Sequence, residues 1–417
     1  MKIKIILTLI TFNILLCSKL LIPMDLKQTD HLKAYGIAFW NLEKGREVDW
    51  LLNYRGGSFM MDNLPSIQSE CLIRGVYFEQ ITVNQYADIL ATINDNNMDI
   101  ALLETPPKIA VYSPPGKQPW DDAVTLALTY AEVNYDVIFD EEVLTGGLKE
   151  YDWLHLHHED FTGQYGKFYK NYKNRGWYLQ MEADFNQTAT KFGYSSVQNL
   201  KKNIANKIKE YIASGGFLFA MCSATDSYDI ALAALNVDIA DQVFDGTPVE
   251  HNYNQKLDYN NGIAFENYEL YTDPMLYEHS TIDVPPGHKP VSRGAEEDYF
   301  TLFEFSAKWD PVPTMLTQNH VAVINGFMGQ TTAFNKNYIK DHITILGEVE
   351  NQDIVKYIHG NVGKGSFTFL GGHDPEDYRH MVGDPPTELS LHRNSPGYRL
   401  ILNNILFPSA RKKDRKT

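Results

Sequence analysis

Apolar residues in this chain follow two patterns, short continuous runs and helical spacing, and the two alternate along most of its length. The run Phe217–Met221 has the length of a strand and follows two glycines, which is typical of a strand buried on both faces. From Asp226 the apolar residues adopt helical spacing, which predicts a helix directly after the strand. Cys222 therefore lies at a strand-to-helix corner.

Further strands are predicted on both sides of this stretch. They are expected at 109–112, 136–139, 151–156 and 365–370, and a long amphipathic helix is expected at 197–213. Alternation of strands and helices is typical of a parallel sheet covered on both faces. We therefore predict an α/β fold with a doubly wound, mostly parallel sheet.

Breaks in this alternation indicate the domain organisation. Two consecutive prolines at 106–107 mark the expected boundary. Residues 31–105 are predicted to form an N-terminal α/β extension, and residues 108–408 the main domain. Apolar periodicity fades over 241–313, which is too long for a connector and is predicted to be an insert.

Composition and charge narrow the expected partners. The chain has 417 residues, 43% of them hydrophobic, and a net charge of -16. This charge argues against nucleic acid, because phosphates would be repelled. The basic tail at 409–417 is expected to be a solvated end. The expected partner is a small-molecule substrate or ligand, and the sequence does not identify a protein partner.

The N-terminus, residues 1–18, has the charged start and apolar run of a secretory signal, and the run is too short to span a membrane. Cys17 follows Leu16, which is larger than the residue that precedes the cysteine in a bacterial lipoprotein signal. We predict an exported protein, periplasmic or envelope-anchored, whose signal is cleaved or lipidated. Membrane contact is expected only through this N-terminal anchor, and a cytoplasmic location is the alternative. In an exported protein a Cys71–Cys222 disulfide is conceivable, and it would exclude a free thiol.

Three predicted strands end in reactive side chains, those of His155, Cys222 and His373. Ligands of an open parallel sheet bind at the carboxyl ends of its strands. Small residues flank Cys222 at both second neighbours, as a tight nucleophile turn requires. A helix N-terminus at this corner favours a thiolate and an oxyanion. A buried, inert cysteine is the alternative.

Two stretches resemble the class I glutamine amidotransferases. Ala220-Met221-Cys222-Ser223-Ala224 is similar to their Gly-x-Cys-x-Gly elbow, with alanine at both glycine positions. His373-Asp374-Pro375-Glu376 is similar to their His-Pro-Glu segment, with one residue inserted after the histidine. The segment 363–376 is closer to the ThuA-like (trehalose utilisation) branch, in which a glycine-rich strand also ends in Gly-His. The resemblance covers roughly 108–408 and implies a flavodoxin-like sheet.

The resemblance implies a cysteine hydrolase acting on a small amide or ester. Cys222 would attack the carbonyl, His373 would transfer the proton, and Glu376 or Asp374 would orient the imidazole. Four side chains at the strand ends are assigned to substrate binding: His157, His158, Glu159 and Ser223. Similar bacterial sequences carry the label asparagine synthetase B, an alternative amidotransferase function. This chain, however, has no cysteine after its initiator Met and no Ser-Gly-Gly-x-Asp-Ser loop.

The same strand ends also allow a metal site. His155 and His157 share one face of the predicted strand and could ligate one ion, with His373 completing the set. Zinc suits such ligands. The alternative function is therefore a non-catalytic or zinc-dependent binding protein of the cell envelope, with carbohydrate as the ligand. No cofactor is required by the cysteine chemistry itself.

Overall fold

The computed structural model describes residues 17–116, 118–284 and 294–411, which form two sheets with helices between and around them. The strands are β1 (Cys17–Ile22), β2 (Val48–Leu52), β3 (Ser58–Asp62), β4 (Glu79–Thr82), β5 (Asp99–Leu103), β6 (Ile109–Tyr112), β7 (Asp136–Ile138), β8 (Trp153–Leu156), β9 (Phe217–Met221), β10 (Tyr299–Leu302), β11 (Val323–Asn325), β12 (Phe334–Asn335), β13 (Thr344–Glu348), β14 (Ile354–Val362) and β15 (Gly365–Leu370).

The α-helices differ widely in length, from single turns to five turns. They are α1 (His31–Glu43), α2 (Pro65–Arg74), α3 (Val83–Asp95), α4 (Ala123–Ala131), α5 (Asp140–Leu144), α6 (Tyr169–Tyr172), α7 (Gly176–Lys191), α8 (Val197–Ser214), α9 (Ser223–Ala233), α10 (Gln242–Asp245), α11 (Tyr253–Lys256), α12 (Pro311–Leu316) and α13 (Pro396–Leu406). None of them is long and apolar enough to cross a membrane.

The smaller sheet has the strand order β4-β1-β3-β2-β5, and every neighbouring pair is antiparallel. Alternate residues face opposite sides, so that Met60 packs in a cluster with Ile89 of α3, whereas Phe59 joins the core that contains α1. This sheet occupies the predicted N-terminal extension. It also includes β1, which overlaps the end of the predicted signal, and residues 1–16 of that signal lie outside the described residues.

The larger sheet has ten strands and is mixed, so the prediction of a doubly wound, mostly parallel, flavodoxin-like sheet is wrong. Its order is β11-β10-β13-β14-β15-β9-β8-β6-β7, with β12 paired to β14. Only the ladders that join β15, β9, β8, β6 and β7 are parallel. The five remaining ladders are antiparallel.

A short connection explains why β14 and β15, in the antiparallel half of the larger sheet, run in opposite directions. Only residues 363–364 separate β14 from β15, and Gly363 has a φ of 60°. A two-residue connection can join only antiparallel neighbours, because a parallel pair needs a crossover of a dozen or more residues. The sequence pattern locates these strands but does not report their direction.

Two main hydrophobic cores cover the faces of the larger sheet. In β9, Phe219 and Met221 face a core shared with the smaller sheet, whereas Leu218 and Ala220 face the core beneath α8 and α9. Helices α1, α4 and α13 contact one another in the layer between the sheets. This packing covers both faces of the parallel strands and leaves their carboxyl ends at one edge of the sheet.

Candidate functional site

Neighbouring parallel strands bring the predicted reactive residues together. β8 pairs with β9, and β9 pairs with β15, all in parallel. The ends carrying His157, Cys222 and His373 therefore lie side by side, as the sequence predicted. β6, the next strand, leads into a loop that adds two residues to the site, Asp121 and Asp122.

Cys222 occupies a strained corner between β9 and α9. Its φ of 49° and ψ of -138° lie outside the regions that non-glycine residues normally adopt. Ala220 and Ala224 on either side are fully buried, which leaves no room for larger side chains. The Cys222 sulfur accepts the Gln330 N–H at 3.3 Å. Cys222 and Cys71 are both free, so the conceivable disulfide between them is absent.

The backbone after Cys222 offers one donor toward a reacting group. The Ala224 N–H is engaged by the His157 carbonyl at 3.1 Å. The Ser223 N–H has no acceptor among the described residues and lies at the first turn of α9. It is therefore the amide available for an oxyanion.

A cavity of about 580 Å³ opens onto this corner. Cys222, Ser223, His158 and His373 all line it, together with a wall of apolar and aromatic side chains. The remaining lining residues are Trp120, Phe168, Asn171, Tyr172, Tyr277, Met328, Gly329, Gln330, Arg379, His380, Met381 and Val382.

Both ring nitrogens of His373 face polar neighbours. Its Nδ1 lies 3.1 Å from His157 Nε2, and its Nε2 lies 3.7 Å from Asp121 Oδ1. Burial disfavours the charged imidazole, but the Asp121 carboxylate and the Cys222 sulfur outweigh that effect and raise the pKa of His373 to about 9. Thiol and imidazole line the same cavity, and the Asp121 carboxylate lies beside the imidazole.

The two acids predicted to orient His373 have other partners. Glu376 pairs with His392 at 2.9 Å, and Asp374 accepts hydrogen bonds from Thr387 and from the Glu376 N–H. Asp121 lies next to His373 instead. Burial opposes ionisation of this carboxyl, but His373 and His380 lower its pKa far below the usual range.

Beneath His373, two further histidines continue the contact chain. His155 Nε2 lies 3.3 Å from His157 Nδ1, and both nitrogens face the Asp122 carboxylate at 3.3 and 3.4 Å. His155 Nδ1 lies 3.0 Å from the Phe219 carbonyl. Burial lowers the pKa of His157 to about 4. These residues form a polar support under the cavity.

The predicted metal ligands are His155, His157 and His373. These three histidines cannot bind one ion with one nitrogen each. His157 faces His155 with Nδ1 but faces His373 with Nε2. The structure instead divides these residues among three groups: Asp122 with His155 and His157, His157 with His158 and His373, and His373 with Asp121 and His380.

Of the four predicted substrate-binding residues, two line the cavity and two lie beneath it. His158 and Ser223 line the cavity. His157 lies below it, and Glu159 accepts the His157 N–H at 2.9 Å. Burial raises the pKa of Glu159 to about 7. Only the first two are placed to touch a ligand directly.

A loop at 327–332 closes the cavity beside Cys222. Lys356, which is buried, donates to the carbonyls of Phe327 and Thr332, the latter at 2.7 Å. Thr331 donates to Asp226 of α9 at 2.8 Å. These anchors fix the Gln330 N–H toward the sulfur.

Sequence reasoning did not identify Asp121, His380 and Gln330. Asp122 immediately precedes an apolar helical pattern and caps α4, and this is the one local signal that marked the loop. His380 and Gln330 follow no strand or helix pattern and reach the site only through the folded chain.

Comparison with known proteins identifies no family. No family model and no curated protein matches the sequence. Cytoplasmic Protein STM3548 from Salmonella typhimurium is 15% identical, with a TM-score of 0.30, over 73% of this chain and 100% of that chain. Cytoplasmic Protein STM1381 from Salmonella typhimurium LT2 is 11% identical, with a TM-score of 0.32 and the same coverage of 73% and 100%.

A beta-galactosidase from Bacillus circulans sp. alkalophilus is 10% identical, with a TM-score of 0.27, over 70% of this chain but only 32% of the enzyme. Likenesses at this level do not establish fold or activity.

Proposed function

We propose that this chain is a cysteine hydrolase that transfers the acyl group of an ester or amide first to Cys222 and then to water. The observation that carries the proposal is the position of Cys222, at a strained strand-to-helix corner that opens onto a cavity also lined by His373. Backbone strain of this kind is retained where the surrounding fold holds a reactive group in place.

In the proposed reaction the Cys222 sulfur forms a bond to the carbonyl carbon, and the bond to the leaving oxygen or nitrogen breaks. His373 takes the thiol proton of Cys222 and donates it to the leaving group. It then accepts a proton from the attacking water, as the water oxygen bonds to the carbonyl carbon and the carbon–sulfur bond breaks, and returns that proton to the Cys222 sulfur. Asp121 holds the imidazole and balances its charge. The Ser223 N–H supports the oxyanion.

The cavity wall favours an apolar acyl group. Trp120 and Phe168 lie with ring centroids 5.4 Å apart, and Phe168 and Tyr277 lie 6.2 Å apart. Aromatic walls of this kind recognise apolar or aromatic groups. The charged amino-acid end of glutamine would lose hydration wherever it met these rings, at a cost in desolvation. We therefore propose an apolar ester or amide as the substrate. The proposed kinship with the glutamine amidotransferases, including their ThuA-like branch, is limited to the two motif stretches.

Selective alkylation tests the proposal. Folded protein treated with iodoacetamide at neutral pH is expected to label Cys222 at least ten times faster than Cys71. Cys71 is an internal control, because burial raises the pKa of its thiol to about 12. Incubation with an aryl ester is expected to leave an acyl adduct on the peptide that contains Cys222, and Cys222→Ser removes it.

Equal, slow labelling of both thiols and no acyl adduct would overturn the proposal. The aromatic wall would also stack on a sugar ring, so binding of a carbohydrate without any acyl adduct would favour the binding-protein alternative.

A further inference from the structure

Three potential metal ligands converge on the floor of the cavity, from the loop before α4 and from the segment after β15. Asp121 Oδ1 lies 3.0 Å from His380 Nε2 and 3.7 Å from His373 Nε2. Ligand atoms of the three residues all lie within 4.8 Å of one another. Side-chain exposures of 9% for Asp121, 6% for His373 and 4% for His380 show that all three are more than nine-tenths buried.

These atoms have no hydrogen-bond partner among the described residues. Asp121 Oδ1 is at ion-pair distance from the Nε2 atoms of His373 and His380, but neither these three atoms nor Asp121 Oδ2 make a hydrogen bond within the described part of the chain. Buried polar atoms are nearly always partnered, because leaving them bare is costly. Four such atoms in one place therefore indicate a shared ligand that accepts lone pairs.

The opposite nitrogen of each histidine is already held. His380 Nδ1 lies 3.1 Å from Asp377 Oδ2, and His373 Nδ1 lies 3.1 Å from His157 Nε2. Histidines that ligate metals usually have their second nitrogen held by a carboxylate or another polar group, which orients the ring. Both imidazoles therefore present Nε2 toward Asp121.

We infer that Asp121, His373 and His380 form a binding site for a divalent transition metal ion, with Zn²⁺ as the best match. Two imidazoles and one carboxylate are the ligands of open zinc sites, which leave one position for water or substrate. Here that position faces the cavity, because His373 and His380 both line it. This set differs from His155, His157 and His373, which the sequence alone indicated.

Binding requires a small rearrangement of the two rings. The rings of His373 and His380 are stacked, with centroids 4.1 Å apart and planes 18° apart. They must tilt so that both lone pairs reach one ion. His380 lies within residues 378–388, which form no helix or strand, so the ring can tilt without disturbing the sheet.

An ion on His373 Nε2 would occupy the nitrogen that faces Asp121. The consequence, which rests on the proposed function, is that the bound metal inhibits acyl transfer by removing His373 from proton transfer. The metal site itself does not depend on that function.

Titration of the full-length protein with Co²⁺ and Zn²⁺ tests the site. We expect one ion per chain, a visible Co²⁺ spectrum of low coordination number, and displacement of Co²⁺ by Zn²⁺. His380→Gln and Asp121→Asn are each expected to weaken binding at least 100-fold, and Asp377→Asn about 10-fold or more, because it frees the His380 ring. Circular dichroism checks that each variant is folded.

His392→Gln is the matched control, because His392 pairs with Glu376 away from these ligands. No stoichiometric binding, or binding that His380→Gln leaves unchanged, would overturn the site. If His380→Gln loses metal binding and the wild-type protein forms no acyl adduct on Cys222, the metal site is upheld and the hydrolase proposal is rejected. If an acyl adduct forms but no metal binds, the hydrolase proposal is upheld and the metal site is rejected.

Discussion

His157 Nε2 lies 3.1 Å from His373 Nδ1, which links the end of β8 to the end of β15 across the Cys222 strand. The contact fixes the plane of the His373 ring from below, while Asp121 approaches the other nitrogen. The contact is favourable when one of the two rings donates a proton and the other accepts it. Burial provides the acceptor, because it lowers the pKa of His157 to about 4 and keeps that ring neutral. The geometry of His373 is thus set by residues from β8 and from the loop after β6, and not by the acids that follow it in sequence.

Asp121→Asn is expected to lower kcat by about 10²-fold or more, because the amide cannot balance a charged imidazole. Steady-state kinetics with an aryl ester measure the effect. Glu376→Gln is the matched control and is expected to leave kcat unchanged, since Glu376 pairs with His392. A larger loss in Glu376→Gln than in Asp121→Asn would contradict the geometry.

Lys356→Met is expected to destabilise the protein by about 1–3 kcal/mol, because two buried carbonyls lose their donor. It should also lower kcat, since the loop that directs the Gln330 N–H at Cys222 is released. Urea denaturation and kinetics measure the two effects. Lys364→Met, at an exposed lysine of the adjacent turn, should change stability by less than about 0.5 kcal/mol. Equal effects of the two variants would reject this role for Lys356.

Trp120→Ala is expected to raise KM for aryl-acyl esters about 10-fold or more, with a smaller effect on acetyl esters. The reason is loss of the ring that contacts Phe168 and Trp177 in the wall. Steady-state kinetics that compare KM for aryl-acyl and acetyl esters measure this selectivity. Trp309→Ala removes a tryptophan that is 72% exposed and serves as control. Equal increases for both substrates would show that the wall does not select the acyl group.

Asp226→Asn is expected to stabilise the protein above neutral pH. Burial raises the pKa of Asp226 from 3.8 to about 7, so its contribution to stability is fully present below pH 3.8 and is lost as the pH rises through about 7. The amide has no charge to bury and retains an oxygen for Thr331. Thermal unfolding should give a Tm about 2–4 °C above wild type at pH 8 and little difference at pH 4.

Asp88→Asn, at an exposed site on α3, should leave Tm unchanged at both pH values. A stabilisation of Asp226→Asn that is equal at pH 4 and pH 8 would show that the carboxyl charge is not its cause.

The sequence by itself determined where the parallel strands lie and which of their ends carry histidine and cysteine side chains. The sequence pattern predicted β6, β9 and β15 with the observed bounds, and β6 and β9 are continuous apolar runs because both of their faces are buried. The small residues around Cys222 indicated a tight corner, since side-chain volume there is limited by nearby backbone. The signal at 1–18 and the export that it implies stay predictions.

Only the tertiary structure decided strand direction and the partners of His373. The antiparallel strands β14 and β15 are buried on both faces, as parallel strands are, so their apolar pattern did not report their direction. Asp121 and His380 are separated from each other by more than 250 positions and meet at His373 only because β6, β8, β9 and β15 are neighbours. Contacts between residues so distant in sequence depend on how the whole chain packs, which local patterns do not encode.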